Sequence, residues 1–145
     1  RYGDTFGTVD SGADWDVNNV YEVVNIIKEL NTSKSFIGTD IVSVKRISRL
    51  LENHGDRFKQ KSFSLKEIIY CDGKSNPSIH YAGRFAAKEA VKKCFYSSGL
   101  TNQIAFSDIV ILPKDNGAPV VSSILNYKYY QLIVSISHES EYAVA

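Results

Sequence analysis

Apolar residues recur along this chain at two periods, and the switches between them mark out its elements. From Asp16 onward, Val17, Val20, Val23, Val24, Ile27 and Leu30 fall three and four apart. That is the spacing of one helix face, and it predicts an amphipathic helix of about 14 residues with Asp16 as its N-cap. The residues before it, rich in Gly, Asp, Ser and Thr, are expected to be irregular. A short apolar strand is expected over residues 35–42 (SFIGTDIV), with Asp40 near its end. Helical spacing returns with Val44, Ile47, Leu50 and Leu51 and is expected to stop at Gly55.

Residues 64–67 (SLKE) form a capping-box pattern that opens a short helix running through Ile68, Ile69 and Tyr70 to Cys71. Turn-forming residues 72–77 lead to a third helix, with Asn76 at the N-cap, Pro77 at the first helical position and an end near Gly99. Within it Ala82, Ala86, Ala90 and Lys93 make a narrow stripe of small residues that must face something close. Phe85, Glu89 and Lys93, four apart, stack beside that stripe. After Gly99 the chain reads as strands over 104–112, 118–124 and 131–137, with a hairpin turn at 113–117. A tight polar turn at 138–141 precedes a last strand from Tyr142. That strand stops abruptly at Ala145, which leaves a continuation of the natural chain open. The fold class is therefore α+β, with helices packed on a small, mainly antiparallel sheet.

Composition narrows the class. With 145 residues, 43% of them hydrophobic and 23% charged, the chain is long enough to bury a real core. No apolar run reaches the roughly 18 residues that crossing a bilayer requires. The acidic start lacks the apolar segment of a secretory signal, so the expected compartment is the cytoplasm. The missing initiator Met leaves a removed leader, and an organellar address, open. Cys71 and Cys94 lack metal-ligand spacing and are expected to be reduced.

The formal charge of +1 hides an asymmetry. Residues 1–35 set Arg1, Lys28 and Lys34 against six acids, whereas residues 36–145 carry 14 basic and 10 acidic residues. A basic body suits an acidic partner. Its basic residues are not interleaved with an aromatic platform for stacking bases, so a nucleic-acid partner is not expected.

Several charged residues have two readings. Glu89 and Lys93 are either an ordinary i,i+4 pair on a solvated helix or part of a site. Asp40, where strand gives way to helix, either caps that helix or holds a cation. Arg46 and Arg49 lie off the apolar stripe and read equally as a solvated basic face. His54 and His80 have no partner suggested by spacing and are read as structural.

Four stretches, in order and in register, resemble the holo-acyl-carrier-protein synthases, the small phosphopantetheinyl transferases. They are IGTDIVSVKRI (37–47), FSLKEIIYC (63–71), YAGRFAAKEAVKK (81–93) and SISHESEYAVA (135–145). Gly117-Ala118-Pro119 also falls where that family has a Gly-x-Pro turn. The resemblance covers residues 36–145 as a transferase domain and leaves 1–35 as an N-terminal extension carrying one helix. It implies transfer of 4′-phosphopantetheine from coenzyme A to a serine of apo-acyl carrier protein, with adenosine 3′,5′-bisphosphate released.

By the same resemblance Asp40 and Glu89 hold Mg²⁺, and Lys93 lies against the phosphates. His138 contacts the phosphate end of coenzyme A; its structural alternative is a turn residue satisfying backbone groups. Glu89, directly or through a metal-bound water, is the expected acceptor of the serine proton. Arg46 and Arg49 dock the acidic carrier, Arg84 either touches the carrier or supports the coenzyme site, and a homotrimer is implied. One departure is local: Phe95-Tyr96-Ser97-Ser98-Gly99 is bulkier than the family's glycine-containing loop after this helix. The alternative from another class is a non-catalytic coenzyme A- or carrier-binding module of the same fold, disfavoured by Asp40, Glu89 and Lys93 occurring together.

Overall fold

The computed structural model describes residues 24–25, 35–100, 103–125 and 131–145. The chain divides into two compact units, residues 1–35 and 36–145. In the first, Val24 and Asn25 are helical; the rest of the helix expected from Asp16 lies outside the described residues.

The second unit is built on three helices and two small antiparallel sheets. Strand β1 (Ile41–Ser43) leads into α1 (Val44–Ser62), α2 (Leu65–Asp72) and α3 (Pro77–Ser98). A 3₁₀ turn (Phe106–Asp108) then precedes β2 (Ile109–Pro113), β3 (Pro119–Ile124), β4 (Ser137–His138) and β5 (Tyr142–Val144). One sheet has the order β1-β5-β4 and the other pairs β2 with β3, so the α+β reading holds.

Helix α3 is the spine. Tyr81, Ala82, Phe85 and Ala86 enter a core with Val42, Val44, Ile47, Phe63, Cys71 and Ala143. Ala87, Val91 and Phe95 enter a second core with Ile104, Ile109, Ile111 and Ile124. Each large aliphatic residue buried in this way contributes about 1.5–3 kcal/mol. A helix buried on opposite sides needs small residues where backbone comes near, and the alanine stripe supplies them. At Gly38 the contact is so tight that a Cβ would sit 1.8 Å from the Ala90 carbonyl oxygen and 2.6 Å from the Cys94 nitrogen. Helix α3 ends as expected, on Gly99 in the left-handed region at φ 74°.

Some expected boundaries are displaced. Gly55 does not stop α1: at φ 41° and ψ −121° it kinks the helix, which resumes to Ser62. Phe58, packed edge-on against Phe63, belongs to that second segment and returns the chain to the core. The expected strand over 35–42 is reduced to a β1 that starts at Ile41. Asp40 nevertheless exchanges backbone hydrogen bonds with Ala145, at 2.9 and 3.0 Å. The strand expected over 104–112 begins as a 3₁₀ turn, and the one expected over 131–137 contributes only Ser137 to β4. Leu132, Val134 and Ile136 still turn alternately toward the second core, so the period was real but the pairing was not. Asn76 stands at the N-cap of α3 without a side-chain capping bond.

Candidate functional site

Asp40 follows the close approach of Gly38 to α3 by two residues, and this puts its carboxylate against Lys93. The Lys93 Nζ donates to Asp40 Oδ1 at 2.7 Å and to the Thr39 carbonyl at 3.0 Å. The i,i+4 pair between Glu89 and Lys93 is not formed: Lys93 reaches across to the strand instead. One turn earlier on α3, the half-buried Glu89 makes no hydrogen bond or ion pair to any described residue. Asp40 does not cap α1; Ser43 does, its Oγ accepting from the Arg46 amide at 3.3 Å.

One carboxylate, a backbone carbonyl and an ammonium group thus come together where strand meets helix, with the Glu89 carboxylate carried one turn earlier on α3. The oxygen donors are hard, and one carboxylate has already drawn in a cation. That set fits Mg²⁺, which is typically held by one or two carboxylates, with substrate phosphates and water completing its shell. Among the described residues no three His, Cys, Asp or Glu side chains cluster as a self-contained metal site. The thiols are no alternative: burial raises the pKa of both, and Cys71 is pushed up to about 12.

A second group gathers near the start of α3. His138 on β4 packs edge-on against His80, at 5.7 Å between ring centres, and His80 packs similarly against Tyr70 at 5.9 Å. The Arg84 guanidinium lies 3.9 Å from the centre of the Tyr70 ring, with the Lys74 ammonium at 4.4 Å from it. Burial lowers the His80 pKa, and His138, Arg84 and Lys74 add to that effect. Four cationic or protonatable groups therefore share one aromatic cluster, an arrangement suited to an anion.

Arg84 is only 5% exposed, donating from Nε to the Ile111 carbonyl at 3.2 Å and from Nη1 to the His80 carbonyl at 3.4 Å. Both bonds tie the guanidinium to the protein's own backbone rather than leaving it free at the surface. Arg46 and Arg49 are both exposed on α1. His80, read from the sequence as structural, packs between Tyr70 and His138; spacing gave no hint of His138 as its neighbour, because His138 arrives from the far end of the chain. Gly38 was also missed, although a glycine inside an apolar run is the mark of close backbone approach.

Residues 36–145 match the family model described as the 4′-phosphopantetheinyl transferase superfamily. The chain is 41% identical over 113 residues to a holo-[acyl-carrier-protein] synthase of Protochlamydia amoebophila, covering 75% of this chain and 92% of that relative. It is 44% identical over 117 residues to one of Ruminiclostridium cellulolyticum, covering 75% and 87%. Among solved structures it is similar to the Helicobacter pylori holo-[acyl-carrier-protein] synthase in complex with coenzyme A. There the TM-score is 0.62 and the identity 31%, over 74% of this chain and 94% of that one. The chain belongs to the holo-[acyl-carrier-protein] synthases of the 4′-phosphopantetheinyl transferase superfamily.

Proposed function

We propose that this enzyme moves 4′-phosphopantetheine from coenzyme A to a serine of apo-acyl carrier protein, in an Mg²⁺-dependent reaction. The observation that carries the reading is the convergence of Asp40, the Thr39 carbonyl and Lys93, with Glu89 one turn away, in a chain of this family. Asp40 and Glu89 would hold the ion. Bound there, Mg²⁺ supplies neutralisation and alignment of the diphosphate.

The chain's own residues account for the rest. Glu89 accepts the proton of the attacking serine. The serine oxygen forms a bond to the phosphorus bearing the pantetheine arm, and the bond from that phosphorus to the bridging oxygen breaks. Adenosine 3′,5′-bisphosphate leaves, and Lys93 stabilises the charge gathering on it as a point charge. The His138–His80–Arg84–Lys74 cluster supports binding of the coenzyme's phosphate end, and exposed Arg46 and Arg49 support docking of an acidic carrier. Ile41, Tyr142 and Val144, apolar and exposed on paired strands β1 and β5, support a homotrimeric assembly. The cytoplasm is the compartment this reading assigns.

The test is to incubate the protein with apo-acyl carrier protein, coenzyme A and Mg²⁺ and to weigh the carrier. The carrier should gain one phosphopantetheine, with adenosine 3′,5′-bisphosphate appearing in equal amount. Chelation of the metal, Asp40→Ala and Glu89→Ala should each abolish the gain. A non-catalytic binding module would leave the carrier mass unchanged in every tube.

A further inference from the structure

The charged residue beside Glu89 points into the protein. Lys88 is fully buried, and its three ammonium hydrogens have three acceptors: Glu67 Oε2 at 2.8 Å, the Ser62 carbonyl at 2.8 Å and the Phe106 carbonyl at 3.0 Å. Glu67 is equally buried. Its Oε2 also accepts from the Ser64 amide and hydroxyl, at 2.8 and 2.9 Å, and its Oε1 accepts from the Ile111 amide at 3.0 Å. The capping box of α2 is therefore also the counter-charge of a lysine on α3. Ile111 follows the register shift in the β2–β3 ladder. Its amide goes to Glu67 and its carbonyl to Arg84, one turn before Lys88. One compact node joins the end of α1, the start of α2, the 3₁₀ turn, strand β2 and the middle of α3.

An ammonium group with every donor engaged can sit in such a cage in one way only. Rotation of α3 about its axis, or a slide along it, would break several of these bonds at once. Glu89 is the next residue on the same backbone. We infer that Glu67 and Lys88 are positioning residues for the transfer reaction, which fix the roll of α3 and so aim Glu89 toward Asp40. This rests on the function proposed above, but neither side chain touches substrate or metal. A well-packed apolar core could supply equal stability, so the pair's distinct contribution is a single orientation.

The experiment compares wild-type enzyme with Lys88→Met and Glu67→Asp, using apo-acyl carrier protein, coenzyme A and Mg²⁺. Circular dichroism at the assay temperature gives the folded fraction. Lys88→Met empties the cage; Glu67→Asp keeps charge and shortens the arm by one methylene. Per folded molecule, kcat should fall about 100-fold in Lys88→Met, the scale expected of a misplacement near 1 Å, and less in Glu67→Asp. The KM for the carrier should not move in either, because the exposed face of α1 is untouched.

A folded variant with wild-type kcat overturns the inference. So does a loss of rate that only follows the folded fraction. Where Lys88→Met does not fold, Glu67→Asp decides alone by the same criteria. An inactive wild type would instead remove the proposed function itself, which separates the two failures.

Discussion

Helix α3 carries two ammonium–carboxylate pairs of nearly equal length and opposite character. Lys88–Glu67 spans 2.8 Å with both side chains 0% exposed; Lys93–Asp40 spans 2.7 Å with side chains 51% and 17% exposed. Five residues turn a helix by about 140° beyond one full revolution, so the two lysines leave it on different sides. Length alone therefore says little about what a pair does. The buried pair cannot exchange partners, because every donor and acceptor around it is already engaged and loss of one partner strands the other. Burial lowers the Lys88 pKa and Glu67 pulls it back up. The exposed pair can be traded for another cation or another anion at little cost. On the function proposed above, the buried pair holds the helix still and the exposed pair is rearranged by substrate.

The contrast is broken most easily at Lys88. Lys88→Ala should cost about 3–5 kcal/mol of folding stability by urea unfolding, since it leaves a buried carboxylate without its counter-charge and takes a donor from two carbonyls. Gly38→Ala should come next. Its Cβ would need the space of the Ala90 carbonyl, so the backbone before Asp40 must lift away from α3. A rate loss of about 100-fold is expected, read with saturating substrates. Lys93→Ala should change stability by only about 0.2–1 kcal/mol while still slowing transfer; a cost like that of Lys88→Ala would erase the distinction.

The smallest effect concerns pH. The folded-state pKa of His80 lies below its ordinary 6.5, burial being the first cause and the positive neighbours the second. Above pH 6.5 the imidazole is neutral whether the chain is folded or not. As pH falls through 6.5 the unfolded chain takes up the proton first, so stability should decline. His80→Gln should make the decline shallower, and thermal melts from pH 7.5 to 5.5 would show it.

The helix starts were legible in the sequence because each depends on local signals, whereas the carboxylates proposed for the site were singled out only through the family resemblance. Ser64 and Glu67 announce a cap within four residues, Pro77 and Gly99 bracket α3, and Asp40 and Glu89 stand inside recognisable stretches. The kink at Gly55 was not legible, because a glycine stops or bends a helix according to what the following segment can bury. Phe58 decided that here. The 131–136 segment alternates as a strand would, yet period cannot say whether a neighbouring edge exists to pair with it. Lys88 was hidden for a related reason: a lysine among alanines reads as solvated until Glu67, 21 residues earlier, is known to face it. Its destination depended on tertiary packing.

The central claim is that the exposed set at the strand–helix junction holds a divalent ion while the buried pair only aims it. Mn²⁺ binding followed by electron paramagnetic resonance, in the presence of coenzyme A, tests this directly on the wild type, Asp40→Asn, Glu89→Gln and Lys93→Ala. One bound ion is predicted for the wild type and for Lys93→Ala, with binding lost in Asp40→Asn and in Glu89→Gln. Undiminished binding in either carboxylate variant would contradict the account.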